Sequence, residues 1–258
     1  MIKYPREVEL GTSWEDITEL IASRIGNILG LQMMKVEMVT RKGRRGCLLK
    51  NFVKENRADM NSEGGALLAN LVEYEELQES SLINNDLIDA GFRMIQHFKY
   101  WELIKSDFIN MQIFDILIGN QDRHPYNWML LFFNDGDVKF SPIYDNGASL
   151  GWRFTDEKLM TMVTDPAMNK YTKNTKLKAG LFERKSVKGK DLLVYINKHF
   201  PEECERSIQN LITFDMEEYS QFINSLNILS QAQMKWLLHI IPFRKRKILE
   251  WLGREEEQ

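Results

Sequence analysis

Gly119-Asn120-Gln121-Asp122-Arg123-His124-Pro125-Tyr126-Asn127, followed further on by Tyr144-Asp145-Asn146-Gly147, is the stretch that decides how the 258-residue chain reads. An Asp and an Asn stand five residues apart, and a second Asp comes after a short apolar stretch. Trp128 to Phe133 is a continuous apolar and aromatic run, which predicts a buried strand. Asn134-Asp135-Gly136 predicts a turn, because Asp-Gly is among the strongest short hairpin signals. Val138 and Phe140 alternate with Lys139 and Ser141, which predicts a second, half-buried strand. A hairpin centred near Gly136 sets Asn127 opposite Asp145, within one residue.

Two oxygen-bearing side chains then meet at the open end of one hairpin, with Asp122 on the loop just before it. Hard cations such as Mg²⁺ take oxygen ligands of this kind and complete their shell with phosphate and water. One Asp can orient or deprotonate an attacking hydroxyl while the Asn and the second Asp hold metal on nucleotide phosphates. The layout therefore suits phosphoryl transfer. The alternative is a capped turn, since Asp-x-x-x-x-Asn is common by chance and Asn146-Gly147 is itself a turn signal. Three polar groups converging beside very apolar strands favour a function, because unpaired burial is costly.

Ile118 to Trp128, together with Pro142-Ile143-Tyr144-Asp145-Asn146-Gly147-Ala148-Ser149-Leu150, resembles the catalytic core of HipA-like serine/threonine kinases. The Asp-Arg-His-x-x-Asn order is also similar to that of phosphoinositide kinases. The resemblance implies Asp122 as catalytic base, Asn127 and Asp145 as magnesium ligands, and His124 as a supporting residue of the catalytic loop. His124 as a histidine that only hydrogen-bonds within the loop is the other reading. Met1-Ile2-Lys3-Tyr4-Pro5 is similar to the strand that carries the nucleotide-phosphate lysine, which makes Lys3 that lysine; taken alone, Lys3 reads as a solvated residue. Thr12 and Glu15 form a capping-box pattern. Ile17, Leu20, Ile21, Ile25, Ile28 and Leu29 recur at helical spacing until Gly30. Glu19 falls where the family places the acidic partner of its phosphate lysine, or is one charge on a helix surface. Leu49 to Phe52, including Lys50 and Phe52, would lie at the hinge beside adenine. ATP and Mg²⁺ are the implied cofactors.

The chain departs from kinases in one respect. The lysine is the third residue, which leaves no room ahead of it for a glycine-rich loop. Gly64-Gly65 lies too far downstream to replace it. A truncated chain, a second polypeptide that complements the N-lobe, and loss of efficient catalysis all account for this.

The expected fold is α+β and protein-kinase-like. Residues 1–53 form a partial, strand-rich N-lobe, and residues 54–258 a larger, mainly helical C-lobe with the catalytic hairpin. Val36 to Val39 and Cys47 to Phe52 read as strands around a basic turn at Arg41 to Gly46, and residues 54–63 as a polar connection. Phe92 to Leu117 reads as one long helix, with Ile95, Phe98, Leu103, Phe108, Ile109, Ile113 and Ile116 inward and Met94 and Met111 as core filler. Further helices are expected over Asp191 to Phe200, Pro201 to Leu211, Asp215 to Leu226 and Ser230 to Leu252. Residues 151–180, with Lys158, Lys170, Lys173, Lys176 and Lys178, read either as an activation segment or as a charged surface loop. Phe243 to Lys247 reads as a solvated face and Arg254 to Glu257 as a frayed tail.

A hydrophobic fraction of 43% allows a sizeable core, and a formal net charge of −3 provides no strong field for nucleic acid or an anionic membrane. No apolar run is long enough to span a bilayer, and the amino terminus lacks a signal-peptide pattern. The two cysteines, Cys47 and Cys204, have no metal spacing and read as reduced cytoplasmic thiols. The expected partners are a protein substrate bearing Ser or Thr and, by resemblance, an antitoxin or a complementing N-lobe polypeptide, with no direct nucleic acid and no membrane. Three activities are compatible with these residues: transfer of the ATP γ-phosphate to a protein hydroxyl, possession of a nucleotide site that acts only through a partner (a pseudokinase or one part of a split kinase), and, from the Asp-Arg-His order, a lipid kinase.

Overall fold

A computed structural model describes residues 1–9 and 11–254. Strand β1 (Ile2–Lys3) leads through the short hairpin β2 (Glu7–Val8) and β3 (Gly11–Thr12) to helix α1 (Glu15–Ile28). Strands β4 (Val36–Arg41) and β5 (Arg44–Leu49) then form a hairpin. Its Lys42-Gly43 turn holds φ at 51° and 75°, the left-handed pair whose twist matches that of the strands. β1 adds to the far side of β5, with Lys3 opposite Cys47. A Cβ on Gly46 would meet the Lys3 carbonyl oxygen at 2.6 Å, so a glycine there lets β1 lie close. Helix α1 packs across β4 and β5, where Asp16 accepts from Arg45 Nε at 2.8 Å, while Ile17, Ile21 and Ile25 join the main core.

Helix α2 (Phe52–Glu55), β6 (Met60–Glu63), α3 (Gly64–Leu68) and α4 (Val72–Glu79) come next, then α5 (Asn84–Gln96) and α6 (Trp101–Ile118). A 3₁₀ turn at Pro125–Asn127 precedes β7 (Met129–Phe132) and β8 (Val138–Phe140). The remainder comprises α7 (Asp156–Met162), α8 (Asp165–Asn174), β9 (Lys176–Leu177), β10 (Val187–Lys188), α9 (Gly189–His199), α10 (Pro201–Ile212), α11 (Met216–Ser225) and α12 (Gln231–Trp251). The architecture is α+β, as expected.

Helix α6 is the axis of the core. It is apolar on nearly every side, the pattern of a buried helix. Phe108 from α6 meets Trp128 edge-on at 5.5 Å, and Trp128 stacks on Phe140 at 5.7 Å, which seats the β7–β8 hairpin on the helix. A separate apolar cluster of Met34, Cys47, Leu49, Phe52 and Leu131 joins the β1-β5-β4 sheet to that hairpin and floors the cleft between them.

Several sequence expectations need correction. The N-terminus of α1 has no capping box, because Arg6 takes the Glu15 carboxylate and Thr12 sits in β3, donating to Glu7 at 3.0 Å. The strand expected to run to Phe52 ends at Leu49, and a division at residues 53 and 54 would fall inside α2. Residues 54–63 are not only a connection. β6 pairs with β7 and makes the hairpin a three-stranded sheet. Its mostly polar and mostly exposed side chains hide the strand from a hydrophobicity reading, while Asp59 anchors it by accepting from the Asn134 backbone and side-chain amides at 2.8 and 2.6 Å. The long helix expected over 92–117 is broken at residues 97–100, where Phe98 drops into the core, and Leu103 faces outward at 55% exposure. Asp215 and Ser230 do cap α11 and α12, the latter through a full capping box. Arg244 is buried, not solvated as the basic run suggested, and Arg254 pairs with Glu205 instead of fraying. The rest of the expected tail, Glu255 to Glu257, lies outside the described residues. Among the described residues no helix is long and apolar enough to cross a membrane.

Candidate active site

Helix α6 ends because Gly119 adopts φ 66°, a left-handed turn that sends the chain into the 120–127 loop. Arg123, fully buried, organises that loop. Its Nε and Nη2 donate to the Asp115 carboxylate on α6 at 2.9 and 3.1 Å. Its Nη1 donates to the carbonyl oxygens of Asn127, at 2.9 Å, and of Tyr144, while Nη2 also reaches the Asn146 side-chain oxygen. One planar guanidinium thus ties helix, loop and the 144–146 segment together, a geometry suited to its rigid fork of donors. Burial works against the Arg123 charge, but Asp115 beside it outweighs that and holds its pKa above the ordinary value.

This corrects the expected hairpin geometry. Leu130 faces Phe140, so the register extended would put Ile143 across from Asn127 and Pro125 across from Asp145. The ladder stops before either pair. Arg123 joins the two segments where strand pairing was expected to. An Arg between Asp122 and His124 looks solvated in sequence, and only its lack of exposure reveals the role.

Glu19, also fully buried, accepts from the Asn146 and Gly147 backbone amides at 2.8 and 2.9 Å and from Lys3 Nζ at 3.2 Å. The surface-charge reading of Glu19 therefore fails, and the ion pair with Lys3 forms. Lys3 Nζ also donates to Asp145 Oδ1 at 2.6 Å. A Cβ on Gly147 would stand 2.8 Å from the Glu15 carbonyl oxygen and 3.0 Å from Lys3 Nζ, so this glycine admits the close approach. Asp145 itself sits at φ 54°, a conformation that Asp tolerates better than most residues. Burial alone would raise its pKa, but the ammonium of Lys3, with Arg123 behind it, holds its carboxyl below the usual range.

Asn127 is buried, and its Nδ2 donates to the Asp122 carbonyl oxygen at 2.8 Å. That commits the nitrogen and leaves the amide oxygen as the atom able to serve a cation. His124 has a buried Nδ1 without a hydrogen-bond partner among the described residues, and burial lowers its pKa, which keeps the ring neutral near pH 7. Asp122 is met by Lys178, whose Nζ lies 2.7 Å from Oδ1. Sequence reading placed Lys178 only among the charges of the 151–180 segment. Arg6 was likewise not singled out. It forks onto Glu15, with Nε 2.6 Å from Oε1, and lies over the Trp152 ring at 5.2 Å.

Lys3, Arg6, Asp122 and Asp145 line one cleft of about 570 Å³, with Leu49, Lys50, Phe52 and Tyr144 opposite them. That volume is in the range of small-molecule sites. Phe52 and Tyr144 form an aromatic pair at 5.3 Å, while the Lys50 ammonium turns to Glu37 at 3.0 Å. The arrangement offers two cations, two carboxylates and an apolar wall in one recess. Among the described residues no three His, Cys, Asp or Glu side chains gather as metal ligands. A single carboxylate plus a carboxamide still suits Mg²⁺, which keeps several waters and shares its shell with phosphate.

Fold and cleft are those of a kinase-like domain, and the relationship can be made specific. Residues 1–211 match the model of the HipA-like C-terminal domain, and the chain belongs to that family. It is 23% identical to the serine/threonine-protein kinase CtkA of Helicobacter pylori over 259 residues, an alignment covering 97% of this chain and 77% of the relative. The crystal structure of the H. pylori proinflammatory kinase CtkA superposes with a TM-score of 0.77 at 24% identity, covering 97% of this chain and 85% of that one. HipA of Shewanella oneidensis, solved with HipB and operator DNA, matches with a TM-score of 0.56 at 15% identity, covering 92% of this chain and 56% of that one. These likenesses show the kinase-like fold.

Proposed function

We propose that this protein transfers the γ-phosphate of ATP to a Ser or Thr hydroxyl of a protein. The observation that carries the reading is the meeting of Lys3, Glu19, Asp122 and Asp145, drawn from four separate segments, in and beneath one cleft. Asp122 orients the acceptor hydroxyl and takes its proton. Asn127 and Asp145 would hold Mg²⁺, which would supply positive charge against the phosphates. Lys3, braced by buried Glu19, binds phosphate, and the Leu49 to Phe52 wall with Tyr144 receives adenine. His124 supports the loop as a neutral ring. Such sites work almost entirely through positioning and electrostatics.

In the arrangement described, Lys3 occupies one of the two Asp145 oxygens at 2.6 Å. That pairing also suits the second reading, a nucleotide-binding module that transfers nothing and acts through a partner. Radiolabelled ATP separates the two. The expected result is label on the protein or an added acceptor from wild type, and a loss of about 1,000-fold or more for Asp145→Ala. Full labelling by Asp145→Ala would remove the magnesium assignment, and nucleotide binding without any transfer would favour the second reading.

The HipA neighbour was solved with HipB and operator DNA, which supports a protein antitoxin as a partner class for this chain too. Cys47 and Cys204, both buried and free, suit a reducing, cytoplasmic setting.

A further inference from the structure

Beyond its contacts at Asn146 and Ala148, the segment after Asp145 returns to the catalytic loop near Lys178, and the chain is bent sharply to get there. Ala179 and Gly180, next after Lys178, stand at φ 56° and 69°, two consecutive left-handed residues. For Ala this conformation is sterically disfavoured, because Cβ crowds the neighbouring carbonyl oxygen. The bend is held from three sides. Gly180 N donates to the Arg123 carbonyl oxygen at 2.6 Å, Gln112 Nε2 on α6 donates to the Ala179 carbonyl oxygen at 2.7 Å, and Trp128 Nε1 donates to the Gly180 carbonyl oxygen at 2.9 Å. Gln112 and Trp128 are buried, so these bonds are sheltered from water. The product of this strained, well-anchored turn is a single placement: Lys178 Nζ 2.7 Å from Asp122 Oδ1, with the lysine side chain only 24% exposed.

We propose that Lys178 is a catalytic residue of phosphoryl transfer, parked on Asp122 in the free protein and contacting the transferred phosphoryl group once nucleotide is bound. The inference rests on the kinase reading above. A triphosphate in the adjoining cleft is more anionic than one carboxylate and draws the Lys178 charge to itself. In the step itself the acceptor oxygen bonds to the γ-phosphorus. The bond from that phosphorus to the β,γ-bridging oxygen breaks, its electron pair leaves with ADP, and the hydroxyl proton passes to Asp122. Lys178 exchanges no proton and supplies charge where the phosphoryl oxygens gather it. The segment that carries Lys178 thus links the arrival of nucleotide to a change of partner for Lys178.

The test compares wild type, Lys178→Met and Lys178→Arg in the full chain. Three quantities are read: transfer from radiolabelled ATP to protein and to water, affinity for Mg²⁺-ADP by calorimetry, and the thermal midpoint. The expected result for Lys178→Met is a kcat about 100-fold lower, with Mg²⁺-ADP affinity and thermal midpoint unchanged, since ADP lacks the group that Lys178 contacts. Lys178→Arg should recover part of the rate because it keeps the charge. Wild-type turnover in Lys178→Met would overturn the proposal and leave the kinase reading standing. Loss of Mg²⁺-ADP affinity or of the fold in Lys178→Met, or an Arg variant no better than Met, would make Lys178 a structural brace and overturn it as well. A wild type that binds Mg²⁺-ADP yet transfers to neither protein nor water would instead bring down the kinase reading, and this inference with it.

Discussion

The charges beneath the cleft and the charges that line it are built on different principles. Asp115, Arg123 and Glu19 are essentially without solvent contact, and each is surrounded by fixed partners, mostly backbone groups and carboxamides. Asp122 and Asp145 have side chains 44% and 42% exposed, and each is met by one lysine from a distant segment. A buried ion cannot change partners without a large desolvation cost, whereas a carboxylate that keeps two-fifths of its side chain in water gives up its lysine more cheaply. The lower tier therefore holds geometry and the upper tier is free to exchange its partners for a ligand. The contrast explains how a site can be both rigid and open to a polyanion.

The largest effect should come from the lower tier. Arg123→Leu leaves Asp115 buried without its partner and unties Tyr144 and Asn146, so urea unfolding should show a loss of about 3–5 kcal/mol. A loss below about 1 kcal/mol would erase the distinction between tiers, because exposed pairs give that much.

Gly119→Ala should rank next. Its φ of 66° disfavours a side chain, and a Cβ there would collide with Arg244 Nη1. Arg244 is buried, and among the described residues no carboxylate pairs with it. It donates to the Ile116 carbonyl oxygen at 3.3 Å and to Thr175 Oγ1 at 3.0 Å, capping α6 where the helix dipole is negative. We expect a loss of about 2 kcal/mol or more. Gly119→Ala combined with Arg244→Met should cost less than the sum of the two single changes, as a double-mutant cycle would report.

The smallest effect sharpens the upper tier. Asp145 titrates below the ordinary Asp value in the folded protein. Its contribution to stability is then complete above the unfolded-state value and fades as pH falls through the lower folded-state value. Unfolding midpoints measured from about pH 5 to about pH 3 should drop more steeply for wild type than for Asp145→Asn. Parallel curves would mean that the Lys3 pair does not hold the carboxylate down.

Local chemistry made much of the site legible before any folding was considered. The Asp122 to Asn127 loop, the turn at Asn134 to Gly136 and the helix starts at Asp215 and Ser230 all depend on neighbours a few residues away, and side-chain type reports such interactions directly. The β6 strand was hidden because an edge strand with polar side chains carries no apolar pattern. The break at residues 97–100 was hidden because no Gly or Pro marks it, and only the core position of Phe98 requires it.

The sequence by itself determined which residues could do chemistry and where the chain would turn, because those properties belong to short segments. Tertiary structure alone decided which charges are buried and which cation meets which carboxylate. Arg123, Arg244 and Lys178 look alike as basic letters in polar surroundings. One became the knot of the loop, one the cap of a buried helix, and one the partner of Asp122. The physical reason is that a charge takes its role from the dielectric around it and from the groups within a few ångströms, and contacts between distant parts of the chain set both.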